Sequence, residues 1–272
     1  MSFTPFTKDQ LLPQEEKLEV ARHKSELFIG IPKETSYQER RICLTPDAVN
    51  SLTSHGHRIL IESGAGESSS YSDKEYSDAG AEVTNDTKKV FSCPMVLKVE
   101  PATIEEIEMM QQNCIVISAI QLKTRKKDYF EALSKKKITA LAFEYIKDED
   151  GTYPAVKSLS EIAGTASILI ASELMINQHF GKGLLFGNIN GVPPTDVVIL
   201  GAGTVGEFAA KTAIGLGANV KVFDNSITKL RRLQNNLNQR VFTSTIQPKT
   251  LLKALRRCDV AIGAMRGKER CP

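Results

Sequence analysis

The residues best suited to do chemistry in this sequence form one short run, Gly201-Ala202-Gly203-Thr204-Val205-Gly206. Glycines at this G-x-G-x-x-G spacing suit a strand-to-helix turn that holds a pyrophosphate. The first permits the tight turn, the second lets the backbone approach the phosphates, and the third allows close helix–strand packing. The motif is weak alone, but its flanks agree with it. Asp196-Val197-Val198-Ile199-Leu200 is a short apolar strand running straight into Gly201, and the residues after Gly206 read as a helix. The free N–H groups and positive end of that helix, beginning at Thr204 and Val205, are where phosphates would sit. A second strand, Asn219 to Phe223, ends in Asp224, 18 residues past Gly206. A carboxylate there accepts hydrogen bonds from ribose hydroxyls and repels a 2′-phosphate, so NAD is expected over NADP. Lys229 and Arg231 pull the other way, since either can swing toward a phosphate.

The elements that must position this turn follow an α/β pattern. Strands are expected at 27–31, 58–62, 96–99, 114–120 and 138–143, with helices starting at Thr45-Pro46 and covering 73–79, 103–112 and 124–133. Such alternation predicts a parallel, doubly wound sheet. The segment 147–158 reads as a loop, followed by a long helix from Ser160, as N-cap, to Phe180. The glycine- and proline-rich stretch 181–194 then reads as a domain boundary. Further strands near 240–243 and 259–264 extend the second sheet. A full dinucleotide fold has about six strands, so this sheet is expected to be incomplete. The expected organisation is a leader over 1–26, an α/β domain over 27–180 including the linking helix, and a truncated Rossmann domain over 181–272. Within the leader, 14–21 reads as a short surface helix or a partner-binding arm.

Composition excludes several function classes. A net charge of +3 is too small to imply a nucleic-acid partner, and the basic clusters at 123–127 and 135–137 carry no interleaved aromatics for base stacking. Five cysteines are scattered without C-x-x-C spacing, and the four histidines form no ligand set, so no metal is expected. The apolar stretch Ala166 to Ile176 is interrupted by Ser172 and Glu173 and falls short of the roughly 18 residues a span needs. No secretory signal is visible at the N-terminus, and a cytoplasmic location is the expectation.

Several ordered motifs resemble alanine dehydrogenase: Gly30-Ile31-Pro32-Lys33-Glu34, the segment Glu39 to Pro46, Glu62-Ser63-Gly64-Ala65-Gly66-Glu67, and the Gly201 loop. The resemblance runs from about residue 27 to the end. The same superfamily includes the NAD-binding subunit of nicotinamide nucleotide transhydrogenase and saccharopine dehydrogenase. The run Lys157 to Gly164 leans toward alanine dehydrogenase, and an upstream R-A-Q motif usual in transhydrogenase subunits is missing.

The resemblance implies an NAD-dependent oxidoreductase that deaminates L-alanine to pyruvate and ammonium, assembled as a homo-oligomer. It implies that Ser160 contacts the cofactor phosphates, Asp224 the ribose and Lys229 the adenosine end, while Ile262 to Ala264 line the nucleotide cleft. Arg41 matches the family's carboxylate-binding arginine, a planar fork suited to that anion. Two departures stand out. The family's K-V-K-E-P stretch is one residue short here, as Lys98-Val99-Glu100-Pro101, so Lys98 either replaces the catalytic lysine or matches its non-catalytic neighbour. Gln121 stands where the family has a catalytic histidine, and an amide cannot carry a proton through a cycle. The family's catalytic aspartate is expected beyond Pro272. The alternatives are an NAD(H)-binding subunit or degenerate enzyme without amino-acid chemistry, and a dehydrogenase of another amino or keto acid.

Overall fold

The computed structural model describes residues 26–179, 181–237 and 239–265. The leader helix expected over 14–21, His23, Phe180 and Cys271 lie outside them. The chain divides into two compact units, the first ending at Ala142 and the second beginning at Phe143.

In the first unit six parallel strands form one sheet: β1 (Phe28–Ile31), β2 (Arg58–Glu62), β3 (Glu82–Thr84), β4 (Met95–Leu97), β5 (Ile115–Ser118) and β6 (Thr139–Ala142), in the order β3-β2-β1-β4-β5-β6. Helices α1 (Pro46–Ser54), α2 (Asp73–Asp78), α3 (Thr87–Phe91), α4 (Ile104–Met109) and α5 (Lys127–Lys135) connect them. Because both faces of a parallel sheet are covered, its strands are continuously apolar. Ile59 and Ile61 of β2 pack with Val49 and Tyr76, while Leu60 between them joins Val90 and Cys93. The helix starts are written in the local chemistry. Thr45 caps α1 ahead of Pro46, and Ser72 with Glu75, and Thr103 with Glu106, form capping boxes for α2 and α4. At Gly30 a Cβ would lie 2.3 Å from the Val90 carbonyl, so β1 and α3 come as close as they do only because a hydrogen stands there.

The strand order reverses between β1 and β4. In open α/β sheets, ligands bind outside the carboxyl ends of the strands at this switch point. The segments leaving β1, β4 and β5 carry Glu34, Lys98, Glu100 and Gln121.

The second unit holds α6 (Pro154–Ile176), β7 (Asp196–Leu200), α7 (Thr204–Gly215), β8 (Asn219–Phe223), α8 (Ile227–Asn236), β9 (Phe242–Ser244), α9 (Pro248–Leu255) and β10 (Val260–Gly263). Its four parallel strands run in the order β10-β7-β8-β9. Ile168 and Met175 of α6 share a core with Val197, Ile199, Ala209, Ala210, Ala213 and Val222.

Several expectations need correction. Helix α6 begins at Pro154, not Ser160, so 154–158 is helical and Ser160 lies inside the helix; a proline at the first helical position is preorganised for this start. The compact units part after Ala142 and not within 181–194, because α6 packs on α7. Gly164 permits that contact, since a Cβ there would meet the Val205 carbonyl at 2.4 Å and the Phe208 Cβ at 2.8 Å. At its full 23 residues α6 is long and apolar enough, by length and composition, to cross a membrane, which the shorter apolar stretch read from sequence was not. Its buried residues Gly164, Ile168 and Met175 belong to this unit's own packing. The elements β3, α3, α8 and α9 were not among those expected; Asp86 and Ser226 cap α3 and α8 and Pro248 opens α9, but the apolar pattern is thin. Helix α8, for example, buries only Leu230 and Leu233.

Candidate functional site

In the second unit, β7 lies between β8 and β10 and delivers the chain into the glycine turn. Gly201 has φ +116, and a Cβ on it would sit 2.5 Å from the Ala264 carbonyl. A Cβ on Gly206 would sit 1.9 Å from the Gly201 carbonyl. Both glycines are therefore required by the protein's own packing. Gly203 differs: apart from its chain neighbours, no atom of the described residues lies within 4 Å of where its Cβ would be, so the protein's own packing does not require a glycine there and the backbone is open to a ligand. Gly203 is also the N-cap of α7 and offers no side chain to the first-turn N–H groups of Thr204, Val205 and Gly206. That combination, open backbone at an uncapped helix start, fits a dinucleotide's phosphates.

Asp224 is buried at the end of β8. Its Oδ2 accepts from the Ala202 N–H (2.8 Å) and its Oδ1 from the Ser226 N–H (2.7 Å). The carboxylate thus ties the glycine turn to the start of α8, and each oxygen keeps a further lone pair for a hydroxyl. Lys229 is exposed on the first turn of α8, its own N–H directed to the capping Ser226 hydroxyl. Ala264 meets the turn, its N–H donating to the Leu200 carbonyl (2.7 Å), whereas Ile262 packs against the core. Ser160 shares with Thr204, Lys157, Lys211 and Arg232 a cavity of about 580 Å³, so the helix α6 brings this hydroxyl to the start of α7.

In the first unit, Arg41 is held by Glu39. Its Nε donates to Glu39 Oε1 (2.8 Å) and its Nη2 to Oε2 (2.5 Å), and Nη2 stands 3.7 Å from Glu100 Oε1. The bond from Arg41 lowers the Glu39 pKa, and the same bond raises that of Arg41. Gln121 Nε2 donates to Glu100 Oε2 (3.3 Å), and Arg125 Nη2 donates to Gln121 Oε1 (3.2 Å). Gln121 itself has φ +53, an uncommon backbone state for a residue with a side chain. The structure therefore brings Arg41 and Gln121 together, with Glu100 between them.

Lys98 does not join that group. Its side chain is 2% exposed, with Nζ 3.0 Å from Glu106 Oε1 and 3.3 Å from Glu34 Oε2. Glu34 Oε1 accepts from the Val99 N–H (2.6 Å). Burial raises the Glu34 pKa, and the Lys98 charge opposes that shift. Burial also pushes the nearby Cys43 thiol up to about 12, which leaves it unreactive as a nucleophile near neutral pH. Sequence reasoning missed Glu34, Glu39, Glu100 and Glu106 as members of these clusters. The one local signal was the Thr103-x-x-Glu106 capping box, and it pointed to a helix start rather than to Lys98.

The chain matches the family description "Alanine dehydrogenase/PNT, N-terminal domain" over residues 30–163 and "Alanine dehydrogenase/PNT, C-terminal domain" over 167–269. It is 35% identical over 240 residues to the alanine dehydrogenase of Methanococcus maripaludis, covering 88% of this chain and 64% of that protein. With the alanine dehydrogenase of Bacillus subtilis it shares 35% over 239 residues, 88% of this chain and 63% of the relative. The chain thus spans a little under two thirds of the length of these relatives. Among solved structures it resembles an L-alanine dehydrogenase with a TM-score of 0.81 at 34% identity, over 90% of this chain and 68% of that one. A transhydrogenase from Sinorhizobium meliloti, at 23% identity, TM-score 0.71, and coverage of 87% and 69%, shares the fold. Two parallel-sheet units, a glycine turn and an arginine at the first unit's switch point agree with matches that run from residue 30 to 269, and the chain belongs to the alanine dehydrogenase/PNT family.

Proposed function

We propose that this chain is part of an NAD-dependent oxidoreductase that deaminates L-alanine to pyruvate and ammonium. The observation that carries the reading is Arg41 at the carboxyl ends of the strands beside the β1/β4 switch point. Glu39 engages its Nε and Nη2 edge, which leaves the two Nη1 N–H groups for a ligand carboxylate. The first-turn amides at Thr204 and Val205, with the Ser160 hydroxyl, hold the cofactor phosphates, Asp224 holds the ribose, and Ala264 borders the turn. Bound nicotinamide supplies the acceptor for the hydride that leaves the substrate Cα. Asp224 selects NAD by excluding a 2′-phosphate. A cytoplasmic homo-oligomer is the assembly that accords with the family.

A second reading, an NAD(H)-binding module without amino-acid chemistry, is favoured by the enclosure of Lys98 between Glu34 and Glu106 and by the amide at Gln121. An NADH fluorescence titration with and without pyruvate decides between them. Tighter NADH binding in the presence of pyruvate supports the dehydrogenase; binding indifferent to L-alanine and every small keto acid supports the module.

A further inference from the structure

Two carboxylates, Glu39 and Glu100, stand beside Arg41. Glu39 already answers the guanidinium with a bidentate pair, and its side chain is 8% exposed. Glu100 lies 3.7 Å from the same guanidinium and is 26% exposed, outside hydrogen-bond distance of it. The Glu100 charge is not relieved by Lys98, whose ammonium is committed to Glu34 and Glu106. Gln121 holds one Glu100 oxygen through its amide, and Arg125 holds Gln121 in turn. Glu100 is therefore a positioned, partly open carboxylate beside the arginine proposed to take a ligand carboxylate. A simple anion approaching Arg41 is repelled by it. A ligand carrying a cation one carbon away from its carboxylate is attracted by both groups at once.

We propose that Glu100 is the group that recognises the substrate's ammonium, so that Arg41 and Glu100 together form a clamp that holds an α-amino-acid zwitterion more tightly than the same carboxylate without its ammonium. Gln121 is then a positioning residue for Glu100, whose Oε2 accepts from the Gln121 amide. The inference rests on the reading of Arg41 as the carboxylate site.

Calorimetric titration of the full chain with L-alanine, propionate and pyruvate tests it, since propionate is alanine without the ammonium. The wild type should bind L-alanine about tenfold or more tighter than propionate, the scale of one charge-assisted hydrogen bond. Glu100→Gln should erase most of that ratio, and Glu100→Lys should reverse it in favour of propionate. NADH affinity, which belongs to the second unit, together with the melting curve, reports whether each variant is folded. An unchanged L-alanine-to-propionate ratio in folded Glu100→Gln overturns the proposal. Equal wild-type binding of the two ligands also overturns it while leaving Arg41 as a carboxylate site. Failure of the wild type to bind any of the three, with or without NADH, removes the Arg41 reading and this one with it.

Discussion

Replacing Lys98 by methionine keeps the length of the side chain and removes its charge. In the native fold Nζ sits between Glu106 Oε1 at 3.0 Å and Glu34 Oε2 at 3.3 Å, nearly sealed from water. Losing one partner of a buried ion pair typically costs about 3–5 kcal/mol, because the remaining charge has neither water nor a counter-ion. Two features place this site at the low end of that range. Each carboxylate keeps a backbone donor, Val99 N–H for Glu34 and Thr103 N–H for Glu106. Glu34 can also take up a proton, since burial already raises its pKa above the ordinary 4.5. We therefore expect Lys98→Met to lose about 3 kcal/mol near pH 7, a drop on the order of 10 °C in the melting of the first unit. The sign of the pH dependence follows from the direction of the Glu34 shift. A raised folded pKa means that protonation stabilises the native state, fully so below about 4.5 and progressively less as pH rises through the folded value. Removing Lys98 raises Glu34 further, so the deficit of the variant should be largest at neutral pH and shrink toward pH 5. The assay is calorimetry with saturating NADH, which raises the transition of the second unit and separates it from that of the first. A variant that melts within about 1 kcal/mol of wild type yet loses its pyruvate-linked NADH tightening would refute this reasoning, and Lys98 would then be a substrate group after all.

The glycine turn makes two further predictions. Gly203→Val should abolish NADH binding with little change in melting, because, apart from its chain neighbours, no atom of the described residues stands within 4 Å of the new Cβ; Gly206→Ala should instead destabilise the second unit, where the Cβ would fall 1.9 Å from the Gly201 carbonyl. A Gly203→Val protein with normal NADH affinity would sink the phosphate assignment. Asp224→Asn should weaken NAD binding, relax discrimination against NADP, and cost about 1–3 kcal/mol of stability, since an amide group would then oppose one of the N–H groups of Ala202 and Ser226. Unchanged cofactor preference in a titration of both dinucleotides would count against Asp224 as the ribose ligand.

How much of this was written locally can be judged residue by residue. β2 and β7 were readable because each strand is a short run buried on both faces, and β7 leads directly into a turn whose glycine spacing has a steric cause. The starts of α1 and α4 were readable because a capping hydroxyl and a proline or glutamate sit within four residues. Short-range chemistry of this kind acts through the chain itself and survives in any context. Helix α6 was misread for a related reason. Its first turn has no side-chain N-cap bond, so Pro154 is the local mark of its start, and the helix packs on α7 across Gly164.

The candidate site divides along the same line. Arg41, Gln121 and Asp224 were identifiable from motifs, and so was the puzzle of a lysine stretch one residue short. The fate of Lys98 was not, because Glu34 lies 64 residues away along the chain, and their meeting depends on β1 and β4 being neighbours in the sheet. The same adjacency leaves Glu100 facing Arg41 while Lys98, two residues earlier, turns into the interior. In a continued strand residues two apart would share a face, but β4 ends at Leu97 and the chain bends at Val99 and Glu100, and which side is solvent and which is core is settled only when the sheet is assembled. Motif and spacing named Arg41, Lys98 and Asp224 but not the carboxylates around the first two; the order of the strands chose which of those charges stayed open to a ligand.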